Sequence, residues 1–131
     1  MPTTILIVDD NSGVRNVLTR ILQKGREFSV VGEAEDGSEA LELARALSPD
    51  LILMDLAMPR VNGLEATRKI KVERPGTKVI ILTRYDEGAY RQAATQSGAD
   101  AFLPKGTRLA ELLATIRRVV QAGPNREAAP A

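Results

Sequence analysis

Residues 50–59 read Asp50-Leu51-Ile52-Leu53-Met54-Asp55-Leu56-Ala57-Met58-Pro59, an apolar run that stops abruptly on a carboxylate. The segment Leu51–Met54 is too short for a helix and lies between Pro49 and Pro59. A short unbroken apolar run bounded by such breakers predicts a strand buried on both faces. No charge belongs inside it, so Asp55 is expected where the strand emerges from the core. In parallel α/β sheets the carboxyl end of a strand is where ligands bind. A lone strand-terminal Asp is usually a solvated turn cap, so the weight of Asp55 depends on what the other strands bring beside it.

On both sides of this strand the chain alternates. Thr3–Val8 (TTILIV) predicts a first buried strand ending on Asp9 and Asp10, and Asn11 and Ser12 supply helix N-cap chemistry. Val14, Val17, Leu18, Ile21 and Leu22 follow at helical spacing and stop near Gly25. Phe28–Ala34 predicts a second strand. Asp36 and Glu39 form a capping-box pair for a helix with Ala40, Leu41, Ala44 and Leu47 on its inner face, ended by Ser48-Pro49. After the turn closed by Asn62-Gly63, Leu64–Lys71 continues as an amphipathic helix that ends near Pro75-Gly76. Lys78–Leu82 predicts a fourth strand terminating on Thr83. A small-residue helix runs over roughly Asp86–Ser97, and Asp100–Leu103 is a short fifth strand ending at Pro104-Lys105. Thr107 is the expected cap of a last helix with the stripe Leu109, Leu112, Leu113, Ile116, Val119 and Val120, closed by Gly123-Pro124.

This alternation predicts an α/β doubly wound fold: a five-stranded parallel sheet of flavodoxin-like (βα)5 type, strand order 2-1-3-4-5. Its switch point lies between strands one and three. Residues 1–122 are read as one domain, and the polar, Ala/Pro-rich residues 123–131 as a disordered tail or the start of a linker.

The composition narrows the chemistry. The 131 residues are 44% hydrophobic and 27% charged with a net charge of +1, ordinary for one globular domain with no broad electrostatic footprint for nucleic acid or anionic membrane. No transmembrane run or signal-type segment is visible, so the cytoplasm is the default location. There is no Cys and no His, which excludes thiolate nucleophiles, zinc–thiolate sites and a phosphohistidine donor within the chain. Chemistry here must run on carboxylates, Lys, Arg, hydroxyls and a bound hard cation.

If the sheet is parallel, the strand ends gather Asp9, Asp10, Asp55, Thr83 and Lys105 on one rim. Each has a bland reading by itself: a helix cap, a strand-end hydroxyl, a solvated lysine. Carboxylates packed together must protonate, pair with Lys105 or take up a cation, because two charges 4 Å apart repel by about 4 kcal/mol at an effective dielectric near 20. An oxygen-only cage suits Mg2+. A cation beside a free carboxylate, an ammonium and a hydroxyl suits phosphoryl transfer, with Asp55 as an in-line nucleophile that needs no base.

The motifs ILIVDD, LILMDLAMPRVNG, VIILT and GADAFLPK, in that order, resemble the receiver domain of two-component response regulators. LTRYDEGAY and NGLEATRKI are most similar to the NarL-type (LuxR-type output) subfamily, whose members usually carry a C-terminal helix-turn-helix. The resemblance implies a phosphoacceptor at Asp55 and a Mg2+ site made by Asp9, Asp10, Asp55 and the backbone carbonyl of Ala57. It also implies a phosphoryl-pairing Lys105, a switch hydroxyl on Thr83 and a switch aromatic at Phe102. The phosphoryl group would come from a sensor histidine kinase or phosphotransfer protein. The output face would be that of the fourth helix, fifth strand and fifth helix, with a homodimer on phosphorylation and a DNA-binding domain outside this chain. No membrane contact, direct nucleic-acid binding or turnover of external substrates is expected.

Two positions depart from the family pattern. Most receivers have Pro after the lysine, whereas here Pro104 precedes Lys105 and Gly106 follows it. The residue after the switch hydroxyl is usually small, whereas here it is Arg84, which is expected to modulate phosphoryl lifetime. A non-phosphorylated, receiver-like interaction module is the competing reading. An aspartyl phosphatase resembling haloacid-dehalogenase enzymes lacks its second acid, since Ala57 stands two residues after Asp55.

Overall fold

The structure is a computed structural model and describes residues 1–56, 62–84 and 88–122, the Ala89 side chain excepted. The strands are β1 (Thr3–Val8), β2 (Phe28–Ala34), β3 (Leu51–Met54), β4 (Lys78–Thr83) and β5 (Ala101–Pro104). They alternate with α1 (Ser12–Leu22), α2 (Gly37–Leu47), α3 (Gly63–Glu73), α4 (Gly88–Gln96) and α5 (Leu109–Gln121). The sheet order is β2-β1-β3-β4-β5 and every pairing is parallel. The expected flavodoxin-like order is therefore the observed one.

The strand period of two divides the core. Leu6, Val8, Ile52, Met54, Val79 and Ile81 point to one face, where they meet Ala40 and Ala44 of α2, Ala66 and Ile70 of α3, and Ala94 of α4. Ile5, Ile7, Leu51, Leu53, Ile80 and Leu82 point to the other, against Leu22 of α1 and Leu112, Ile116 and Val119 of α5. All four residues of β3 are buried, as a strand covered on both faces requires. Small residues on α2 and α4 let those helices approach the sheet.

Helix ends follow their capping chemistry. The side chains of Asn11, Asp36 and Asn62 accept from the backbone N–H of Val14, Glu39 and Glu65. The fifth helix differs from expectation: its N-cap is Arg108, which makes no side-chain cap hydrogen bond. Thr107 sits one residue too early and instead donates its backbone N–H to the Pro104 carbonyl. Val17, expected on the buried stripe of α1, is 57% exposed. The expected helix start at Asp86, the stop at Gly123-Pro124 and the tail 123–131 lie outside the described residues. Among the described residues no helix is long and apolar enough to cross a membrane.

Candidate functional site

The site is built from strand ends. β1 hands over Asp9 at its carboxyl end, and the Asp9 N–H donates to the Ala34 carbonyl at the end of β2. The next strand over, β3, hands over Asp55, whose N–H donates to the Val8 carbonyl at 2.9 Å. These two bonds carry the β1–β2 and β1–β3 ladders one step beyond the strands, so both acids start from fixed backbone. β4 ends on Thr83, whose carbonyl accepts from the Lys105 N–H at 2.8 Å, which fixes the start of the loop after β5.

Four of the five expected side chains converge through their charged groups. Asp9, Asp10 and Asp55 each place a carboxylate oxygen within 4.8 Å of the others. Lys105 Nζ lies 2.7 Å from Asp9 Oδ2 and 3.5 Å from Asp55 Oδ1. Asp9 and Asp55 are buried while Asp10 is exposed, so the cluster opens to solvent on one side. Thr83 is wholly buried at the adjoining strand end. Arg84 follows it on the exposed surface. Phe102, on β5, packs half-buried against the α2–α3–α4 side of the core, and the Arg91 guanidinium lies 4.9 Å from its ring centroid. Ala57 lies outside the described residues.

Asp55 is the electrostatically unusual member. Burial first, and then the Asp9 carboxylate, raise its pKa to about 6, against the lowering effects of Lys105 and the Leu56 N–H. That N–H donates to Asp55 Oδ1 at 2.9 Å. A carboxyl held near 6 is mostly ionised at neutral pH and gains from any cation placed beside it. Hard oxygen donors this close, with one lysine shared by Asp9 and Asp55, fit a Mg2+ ion completed by water.

Sequence reasoning misses two contributors to the site and one buried ion pair away from it. Arg15 of α1 donates Nη1 to the Asp9 carbonyl at 2.6 Å and Nε to Glu33 on β2 at 3.0 Å. Gly63 reads in the sequence as a turn glycine, but a Cβ there would lie 1.9 Å from the Asp55 carbonyl oxygen. At the opposite end of the sheet, Lys71 pairs with Asp100 at 3.0 Å, both about 5% exposed. Each depends on how the chain folds back on itself, and no helical or strand spacing announces it.

Comparisons with known proteins identify the family and the fold. A family model described as the response regulator receiver domain matches residues 5–117. The chain belongs to that family. The receiver is 42% identical over 115 residues to the response regulator GacA of Pseudomonas aeruginosa, a match covering 88% of this chain and 54% of that protein. It thus spans about half the length of the curated relatives it matches. The signal receiver domain of the putative response regulator NarL from Mycobacterium tuberculosis superposes with a TM-score of 0.88 at 30% identity, covering 93% of this chain and 98% of that one. A LuxR-family two-component response regulator from Aurantimonas gives a TM-score of 0.86 at 32% identity, covering 92% and 86%. The chain is therefore a NarL/LuxR-type receiver of a two-component response regulator, in a class of signalling proteins rather than turnover enzymes. Receivers as a family bind Mg2+ in their acidic pocket and interact with histidine kinases or phosphotransfer partners.

Proposed function

We propose that this receiver accepts a phosphoryl group on Asp55 from a sensor histidine kinase or phosphotransfer protein. One observation carries the reading: three carboxylates lie within 4.8 Å of one another at the end of a parallel sheet, and two of them, Asp9 and Asp55, share one lysine. An Asp55 carboxylate oxygen attacks phosphorus in line, an O–P bond forms, and the P–N bond to the donor imidazole breaks as its electron pair returns to the ring. Asp9, Asp10, Asp55 and the Ala57 carbonyl would hold Mg2+, which supplies positive charge to the phosphoryl oxygens. Lys105 pairs with the transferred group and shields it from the neighbouring acids. The Thr83 hydroxyl donates to a phosphoryl oxygen, and Phe102 turns toward the space this leaves.

Phosphorylation adds about −1.5 to −2 charge at neutral pH, so the packing of α4, β5 and α5 shifts toward whichever arrangement contacts that charge better. That face then signals to a dimer partner or to a DNA-binding domain outside this chain. In this reading the receiver folds through residue 122, residues 123–131 lead away as tail or linker, and the protein works in the cytoplasm. Exposed Arg84, beside Thr83, modulates the lifetime of the acyl phosphate by pairing with it or limiting water.

The test is intact mass after incubation with acetyl phosphate and Mg2+. A labile gain of one phosphoryl group, absent in Asp55→Asn, supports the reading. No gain favours a pure interaction module, and label retained in Asp55→Asn moves the acceptor elsewhere. An unchanged dephosphorylation rate in Arg84→Ala removes the role given to Arg84.

A further inference from the structure

The Arg15–Glu33 pair lies beside the carboxylate cluster and touches it through one backbone atom. Arg15 Nη1 donates to the Asp9 carbonyl at 2.6 Å while its Nε donates to Glu33 Oε1 at 3.0 Å. The Arg15 side chain is 16% exposed, so the guanidinium is held between its two acceptors. The same stretch of chain is tied by the Asp9 N–H to the Ala34 carbonyl at 3.0 Å, and by the Asn11 N–H to Asp9 Oδ1 at 2.9 Å.

We infer that Arg15 is a positioning residue for the metal-binding acids, clamping the Asp9 carbonyl to β2 so that Asp9 and Asp10 stay aimed at a shared cation. This rests on the reading of the cluster as a Mg2+ site. Three like charges favour spreading apart, and the segment between β1 and α1 is where spreading is easiest, because Asp10 is exposed. A guanidinium on the Asp9 carbonyl opposes that movement. Glu33 neutralises Arg15, so the pair acts through geometry and adds little net field at the cluster. Groups that orient metal ligands without touching the metal commonly set its affinity.

The test measures Mg2+ affinity by isothermal titration calorimetry on the full chain. The double variant Arg15→Met/Glu33→Gln removes the clamp at constant net charge, and its Mg2+ dissociation constant is expected to rise about tenfold or more. The half-saturating Mg2+ concentration for labelling by acetyl phosphate rises with it, while the rate at saturating Mg2+ stays within about twofold. The matching pair Arg117–Glu27 is bidentate and joins α5 to the segment before β2. Its variant Arg117→Met/Glu27→Gln leaves the Mg2+ constant unchanged.

A dissociation constant within twofold of the parent in the folded double variant overturns the inference, as does a lower saturating rate with unchanged half-saturation. Should the double variant fail to fold, Arg15→Lys decides: a weakened constant supports the clamp and an unchanged one removes it. A parent protein that takes up no Mg2+ overturns the reading of the site and this inference with it, whereas a parent that binds and a variant that binds equally removes the inference alone.

Discussion

Lys105 Nζ lies 2.7 Å from Asp9 Oδ2 and 3.5 Å from Asp55 Oδ1, so one ammonium is shared by two acids and sits closer to Asp9 than to the proposed acceptor. The backbone of Lys105 is tied to Thr83, but its side chain retains reach along the rim. Lysine is suited to this task as a compact point charge on a flexible stem. A charge that serves the acids before phosphorylation can serve the phosphoryl oxygens afterwards.

Replacing it gives the first prediction. Lys105→Met removes a charge that lowers the Asp55 pKa, so that pKa rises above its present value of about 6. Labelling by acetyl phosphate at pH 7 falls by on the order of 10²-fold, the usual cost of losing one preorganised charge at a transferring group. A carboxyl-carbon NMR titration and the labelling rate check the two halves. An unmoved Asp55 titration would sink the electrostatic account.

The second prediction concerns pH and stability. The folded state holds the Asp55 proton more tightly than the unfolded chain, with the pKa raised from 3.8 to about 6. Well below pH 3.8 the group is protonated in both states and contributes nothing. As pH rises through the window from about 4 to 6, ionisation costs the folded state up to about 3 kcal/mol. Asp55→Asn avoids that cost, so without divalent cations it is more stable than the parent at pH 7 by about 1–3 kcal/mol. The gain shrinks toward pH 4. Urea unfolding at both pH values measures it, and a variant less stable at pH 7 contradicts it.

Gly63 gives the third. A Cβ at this position would sit 1.9 Å from the Asp55 carbonyl oxygen and 2.9 Å from its carbonyl carbon, so one atom displaces the backbone of the acceptor residue. The neighbouring Gly63 N–H donates to the Leu56 carbonyl at 3.0 Å and leaves no slack. Gly63→Ala should cost about 3 kcal/mol or more, at the upper end of overpacking penalties. Thermal unfolding checks the cost. Gly88→Ala, whose Cβ would meet nothing within 4 Å, serves as the control and should leave stability within about 0.5 kcal/mol or raise it.

The Lys71–Asp100 pair gives the fourth. Lys71 Nζ donates to the Pro75 and Thr77 carbonyls and to Asp100 Oδ2, and the same Asp100 oxygen accepts from the Val79 N–H. Removing one partner leaves the other charge buried and uncompensated. Asp100→Ala should therefore destabilise by about 3–5 kcal/mol and lower Tm by about 10 °C or more. Calorimetry reads this directly, and a loss under about 1 kcal/mol would show that the site relaxes to admit water.

The fifth concerns the proposed switch aromatic. The Arg91 guanidinium stands 4.9 Å from the Phe102 ring centroid and links α4 to β5 across the proposed output face. Such contacts are worth about 0.5–1 kcal/mol where solvent reaches them. Arg91→Leu keeps an apolar neighbour and removes the charge, and should shift the Phe102 rotamer populations by about two- to fivefold. NMR of ring-labelled protein measures those populations, and unchanged values would separate Arg91 from the switch.

The fold was legible in unusual detail. Buried strands are built on continuous apolar runs such as Leu51–Met54 and Val79–Leu82, and capping residues such as Asn11 and Asp36 are local signals, so elements and their sequence followed from short windows of chain. The resemblance to a known family then named the site residues together. Thr107 misled because its capping side chain is a local signal, whereas the turn held by its N–H to the Pro104 carbonyl starts the helix one residue later, at a residue with no cap chemistry. Val17 misled because a helical stripe is wider than the face that α1 buries.

What the chain by itself determined is which groups meet: strand ends carry the acids, the hydroxyl and the lysine, and a parallel sheet has one carboxyl rim. What only the tertiary structure decided is how they are shared. The closer approach of Lys105 to Asp9, the raised Asp55, the Arg15 clamp, the Gly63 close approach and the buried Lys71–Asp100 pair all depend on distances set by how the chain folds back on itself. Periodicity and capping act over a few residues and can be read along a chain, whereas Coulomb forces, desolvation and steric contact act through space and take their values only once the backbone has closed.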